Sequence, residues 1–162
     1  MTPSERLERV RQILSEAKKL SREYYQLTGK PLGITGEVAE YEAAAKLGLE
    51  LAVVRSPGFD AKRKSSEGVE ELIQIKGRSY AQSKKSQRIG RLNFEKSWHS
   101  VILVILDETY ELVEIYQATR EAIERRLTAL KDRPDGKPTH TKRGAVSVSL
   151  FKSIAGKAIW KR

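Results

Sequence analysis

Residues 58–78 read GFDAKRKSSEGVEELIQIKGR, and this stretch decides the fold. The charged segment 62–68 reads as a hairpin turn, and Val69 to Lys76, carrying Leu72, Ile73 and Ile75, reads as the hairpin's second arm. Successive side chains of a strand alternate between faces, so Gln74 and Lys76 stand together while Ile75 enters the opposite layer. Pairing of the two arms then brings Asp60 beside the strand that bears Gln74 and Lys76.

Upstream, Ser56-Pro57-Gly58 breaks a short strand expected over Leu49 to Arg55. Before that strand, Thr35-Gly36-Glu37 opens a helix over 36–47 that Gly48 closes, with Glu37 and Glu40 one turn apart. Thr2-Pro3-Ser4-Glu5 has the form of a capping box. Leu7, Val10, Leu14, Ala17, Tyr24 and Leu27 then mark an amphipathic helix, an N-terminal extension over 1–30 expected to pack on the core.

Downstream, residues 78–92 are polar, basic and Gly-punctuated, which predicts a loop. Val101 to Leu106, VILVIL, predicts a central strand buried on both faces. A turn at Asp107 leads into a partner strand over Tyr110 to Tyr116, and Thr119 caps a helix with Ile123, Leu127 and Leu130 on one face. After the loop DRPDGKPTHTKRG, the alternation of Val146, Val148 and Leu150 predicts a strand over Ala145 to Leu150, and Ile159 and Trp160 anchor the C-terminus. The order predicts one α/β (α+β) domain over 1–162, a sheet flanked by helices.

The 162 residues contain no cysteine, which removes thiol catalysis and cysteine-bound metal centres and suits a reducing compartment. No apolar run approaches the ~20 residues of a membrane span, so the reading is cytoplasmic, with no membrane partner. Lys and Arg total 31 against 21 Asp and Glu, a net charge of +10. The excess is blocked: Lys62 to Arg91 holds nine Lys/Arg against three Glu, and Lys131 to Arg162 nine against two Asp. Two basic blocks separated by an acidic stretch suit a polyanionic partner, nucleic acid foremost.

Chemistry on such a partner needs a hard cation at the scissile phosphate, and Mg²⁺ or Mn²⁺ favours a few carboxylate and carbonyl oxygens plus water. Asp60 is the expected anchor, Gln74 offers a neutral amide oxygen, and the Ile75 backbone carbonyl adds a third donor. Lys76 would orient or deprotonate the attacking water and offset charge on the phosphate. Taken alone, Asp60 reads equally as a turn residue and Gln74 and Lys76 as an exposed polar pair. His99 and His140 lack ligand spacing and read as structural or surface residues, and Trp98 and Trp160 read as core or edge anchors.

These residues resemble the PD-(D/E)XK nuclease superfamily, in which a helix Glu, a strand Asp and a (Glu/Gln)-x-Lys strand meet at one sheet edge. Asp60 followed by Gln74-x-Lys76 resembles the Mrr-type variant. KPLGITGEVAEYEAA, GFDA, QIKGRS and RGAVSVSLFKSIAGKAIW together resemble a family of small bacterial proteins placed in that superfamily. The resemblance implies a restriction-endonuclease-like mixed central sheet and a Mg²⁺- or Mn²⁺-dependent deoxyribonuclease using metal-activated water. It carries the metal-binding Asp onto Asp60, the Glu/Gln onto Gln74, the Lys onto Lys76 and the helix Glu onto Glu40, with Glu37 the alternate. Two departures stand out: Gln74 replaces the commoner Glu, and Phe59 occupies the position of the Pro that names the motif.

Arg78, Lys84, Lys85, Arg88 and Arg91 would contact nucleic-acid phosphates, as would Lys142 and Arg143 of the second block, and each also reads singly as a solvated side chain. The partner is expected to be DNA, met by a homodimer if both strands are cut. The other readings are a non-catalytic nucleic-acid-binding module and an interaction subunit that keeps the fold.

Overall fold

The computed structural model describes residues 2–29, 32–52, 58–64, 68–79, 87–131 and 145–162. Its elements in chain order are α1 (Pro3–Thr28), α2 (Thr35–Leu47), β1 (Glu50–Leu51), β2 (Ala61–Lys64), β3 (Glu70–Ser79), β4 (Arg88–Arg91), β5 (Ser100–Leu106), β6 (Leu112–Thr119), α3 (Arg120–Lys131), β7 (Ala145–Ser147), α4 (Val148–Ala155) and β8 (Trp160–Lys161). Among the described residues the main sheet runs β1-β2-β3-β5-β6-β8, parallel only between β3 and β5, and β4 pairs with β7 in a separate ribbon. This is the mixed α+β arrangement of a sheet with helices against it, preceded by an extra N-terminal helix.

The hairpin forms, with Ala61 paired to Ile73 and Lys64 to Glu70 in antiparallel register, but Lys62 to Lys64, expected in its turn, belong to the first arm β2, where Lys62 and Arg63 pair with Glu70 and Glu71 across the strands. β5 lies at the sheet centre with every residue buried. Its alternation explains the unbroken apolar run: Ile102, Val104 and Leu106 join Val38, Ala39, Ala43, Ile73 and Ile75 under α2. Val101, Leu103 and Ile105 join Ile89, Leu92, Trp98, Ile123 and Phe151 on the other face.

The capping box closes reciprocally, with Glu5 N–H donating to the Thr2 hydroxyl at 3.2 Å and Thr2 N–H to the Glu5 carboxylate at 2.6 Å. Leu14 packs against the α2-side core and Lys18 pairs with Glu42 at 3.0 Å. The expected packing is only partial, since Leu7, Leu20 and Leu27 remain exposed.

Two segments differ from their sequence reading. Residues 88–91, expected in a loop, form β4, because Ile89 and Leu92 bury in the second core and the ribbon partner lies more than 50 residues away. The strand expected over 145–150 ends at Ser147, whose hydroxyl accepts from Leu150 N–H at 3.1 Å and caps α4. Past that cap, Val148, Phe151, Ile154 and Ala155 follow helical spacing and pack on the second core. The partner strand after Asp107 also starts later, at Leu112, because Asp107 Oδ1 accepts from Thr109 and Glu111 N–H and tightens the turn. No helix among the described residues is long and apolar enough to cross a membrane.

Candidate functional site

The candidate site lies where β2 leaves β3. Register holds from Lys64–Glu70 to Ala61–Ile73, and Asp60 N–H makes a last bond to the Ile73 carbonyl at 2.8 Å. Beyond that point the chain turns away, its Asp60 carbonyl accepting from Ala52 N–H at 2.9 Å. Ile75 N–H faces the vacated side of β3, and Asp60 Oδ2 accepts from it at 2.7 Å. The carboxylate thus replaces a missing strand partner; an unpaired buried amide would cost about 1–3 kcal/mol. N–H and C=O of one strand residue point to the same side, so the Ile75 carbonyl also faces this gap. Asp60 Oδ1 has no hydrogen-bond donor among the described residues.

Glu40 reaches the same edge from α2. Its carboxyl is held above the ordinary glutamate value of 4.5, first by burial, then by the negative charges of Asp60 and Glu37, against an opposing pull from Lys76. Asp60 and Lys76 therefore both lie within electrostatic reach of Glu40. Glu37, one turn earlier, is exposed, so Glu40 is the helix carboxylate that the gap senses.

A raised folded-state pKa means that ionising Glu40 costs more in the fold than in the unfolded chain. Its favourable contribution is complete below 4.5 and is lost as pH rises through the raised value. In chelator, Glu40→Gln is expected to melt above wild type at pH 7, and the gap to close below pH 4.5; thermal melts across that window check it.

Close packing at Gly77 sets the height of α2. A Cβ at Gly77 would stand 2.5 Å from Ala39 Cβ and 2.6 Å from the Thr35 carbonyl oxygen, so glycine alone lets the helix rest on β3. The sequence reading passed over Gly77, although an isolated glycine in a strand pattern is the signal of such an approach.

Gln74 is 6% exposed, and its Nε2 donates to the Gly58 carbonyl at 2.8 Å. Since a carbonyl only accepts, this bond fixes the amide orientation and leaves Oε1 as the oxygen. That oxygen is buried without a donor. The geometry gives a reason for Gln where Glu is commoner: a carboxylate could not donate to Gly58 and would set two oxygens against each other. Gly58 holds φ at +101°, a conformation glycine alone adopts easily, so Gln74 secures a turn built on glycine two residues before Asp60.

Around the gap, Asp60, Glu40, Gln74 Oε1 and the Ile75 carbonyl are all oxygen donors that could hold a hard divalent ion. Among the described residues no three His, Asp or Glu side chains form a cluster able to hold a metal ion, so the amide and backbone oxygens would have to contribute. The buried, donorless Gln74 oxygen fits that requirement.

The other expected residues lie farther along. Arg78 Nε donates to the Arg88 carbonyl and Nη1 to the Gly77 carbonyl, tying β3 to β4, and burial holds its guanidinium below the ordinary value. Arg88 and Arg91 are exposed on β4, opposite Ser147 and Ala145 of β7. Lys84, Lys85, Lys142 and Arg143 lie outside the described residues, as does His140. His99 Nδ1 accepts from Leu72 N–H at 2.8 Å, a structural bond, and Trp98 is buried in the second core.

The fold is of the mixed α+β class, and the gap where β2 leaves β3 places Asp60 and Lys76 within electrostatic reach of Glu40. No known protein family matches the chain, and no curated protein matches it.

Proposed function

We propose that the chain is a metal-dependent nuclease of the PD-(D/E)XK type that hydrolyses DNA phosphodiester bonds. One observation carries the reading: at the point where β2 leaves β3, Asp60 caps Ile75 N–H while Glu40 and Lys76 act on the same edge. A catalytic cluster on rigid elements is positioned more precisely than one on loops, and here a strand end, a strand and a helix supply it.

Asp60, Gln74 Oε1, the Ile75 carbonyl and Glu40 would hold Mg²⁺ or Mn²⁺. Such an ion, when bound, neutralises the scissile phosphate and makes water more acidic. Lys76 is half-buried, with no hydrogen bond or salt bridge among the described residues, so its ammonium is available to a phosphate oxygen or to the attacking water. A cation in the gap would favour the ionised form of Glu40, since it offsets the burial and the repulsion that raise its pKa. The exposed Arg88 and Arg91 of β4 supply attraction to the backbone.

Purified protein incubated with plasmid, linear, single-stranded and branched DNA in Mg²⁺, Mn²⁺ or chelator tests the reading. Metal-dependent cleavage of at least one substrate is expected. Salt-sensitive binding that is indifferent to chelator, with no cleavage of any substrate, would favour a non-catalytic binding module.

A further inference from the structure

The loop between β4 and β5 belongs to neither strand, yet it is held on several sides. Asn93 Oδ1 accepts from Glu95 N–H at 2.9 Å, and the Asn93 carbonyl accepts from Trp98 Nε1 at 2.8 Å. Arg120, at the start of α3, donates to the Lys96 carbonyl at 2.9 Å and to the Phe94 carbonyl. Its guanidinium also stacks 4.9 Å from the Trp98 ring centre and 5.7 Å from that of Phe94. Buried aromatic surface and a charged fork thus fix the loop.

What the loop presents is Lys96, set against the turn that carries Asp60. A Cβ at Gly58 would lie 2.7 Å from Lys96 Cβ and 3.3 Å from the Ser97 carbonyl oxygen, so the lysine stem occupies space that only glycine leaves open. Lys96 itself is exposed.

Neighbouring cations are mostly compensated. Lys62 pairs with Glu70 at 3.3 Å, Arg63 with Glu71 at 2.7 Å and Arg120 with Glu124 at 2.8 Å. Lys96 has no acidic hydrogen-bond or ion-pair partner among the described residues, although its stem borders the Asp60 turn. A lysine whose base is fixed and whose head lacks a counter-ion loses less freedom on meeting an anion than a free surface lysine does.

We propose that Lys96 is a phosphate-binding residue for the nucleic-acid backbone, engaging a phosphate next to the one at the Asp60–Lys76 gap. It rests on the nuclease reading and adds a contact that base sequence does not dictate. Arg120 is the positioning residue behind it, acting through the loop carbonyls.

The test is binding of a fluorescent DNA duplex in chelator over a series of KCl concentrations, using full-length wild type, Lys96→Met, Lys96→Arg and Lys157→Ala. Methionine keeps the apolar stem and removes the charge; Lys157 is an exposed lysine beside β8, three strands from β3. Lys96→Met is expected to bind several-fold more weakly at low salt, with the slope of log affinity against log salt shallower by about 0.9, one phosphate contact for duplex DNA. Lys96→Arg and Lys157→Ala are expected to keep the wild-type slope. A wild-type slope in Lys96→Met, while wild type binds DNA, overturns the assignment and leaves the nuclease reading standing. Wild type that binds no DNA overturns both.

Discussion

On the proposed reading, Lys76→Ala folds as the parent does and cleaves DNA at least about 10²-fold more slowly, the loss that removal of a positioned general base or charge-stabilising group brings. Folding survives because the Lys76 side chain makes no hydrogen bond or salt bridge among the described residues, and β3 and β5 are joined through backbone pairing that a side-chain truncation leaves intact. The variant also removes a cation that eases Glu40 ionisation. Single-turnover cleavage at saturating protein, beside thermal melts, separates lost chemistry from lost fold. Unchanged cleavage would make Lys76 an ordinary half-exposed lysine.

Gly77→Ala is expected to act through position rather than chemistry. The added methyl would meet Ala39 Cβ and the Thr35 carbonyl at 2.5 and 2.6 Å, and neither a helix backbone nor an alanine can rotate aside. α2 must shift, and overpacking of this kind costs about 1–3 kcal/mol. For a chain of this length that lowers Tm by roughly 2–4 °C per kcal/mol. Glu40 directly follows Ala39, so the shift carries the carboxylate with it and cleavage falls together with stability. A Tm equal to wild type would show that α2 has slack at this contact.

Much of the architecture was legible because its causes are local. The charged turn and the alternation of Leu72 to Lys76 specify the β2–β3 hairpin, and the continuous apolar run of β5 reflects two cores that draw on alternate residues of one strand. The hidden parts depend on distant partners. β4 is four residues of Arg, Ile and Gly that become a strand through β7, far along the chain. α4 begins inside an alternating Val-Ser pattern, and only the Ser147 cap and the later Phe151 turn that pattern into a helix.

The site divides in the same way. Asp60, Gln74 and Lys76 could be placed near one another from strand period and hairpin pairing alone. The hydrogen bond from Gln74 to Gly58 could not, because it depends on the left-handed turn at Gly58. The role of Gly77 comes from Thr35 and Ala39 of a helix far upstream, and Lys96 reaches the turn from a loop held by Asn93, Trp98 and Arg120. Spacing finds groups that share an element; it does not find those that tertiary packing delivers.

The central claim is that the gap beside Asp60 holds the divalent ion used in cleavage. Its most direct test is Mn²⁺ binding in the presence of a short DNA duplex, followed by the electron paramagnetic resonance signal of free Mn²⁺, for wild type and Asp60→Asn. The account predicts that wild type depletes the free signal and cleaves DNA, whereas Asp60→Asn, which keeps an oxygen to accept from Ile75 N–H, does neither. Equal Mn²⁺ depletion, or equal cleavage, by the two proteins would contradict it.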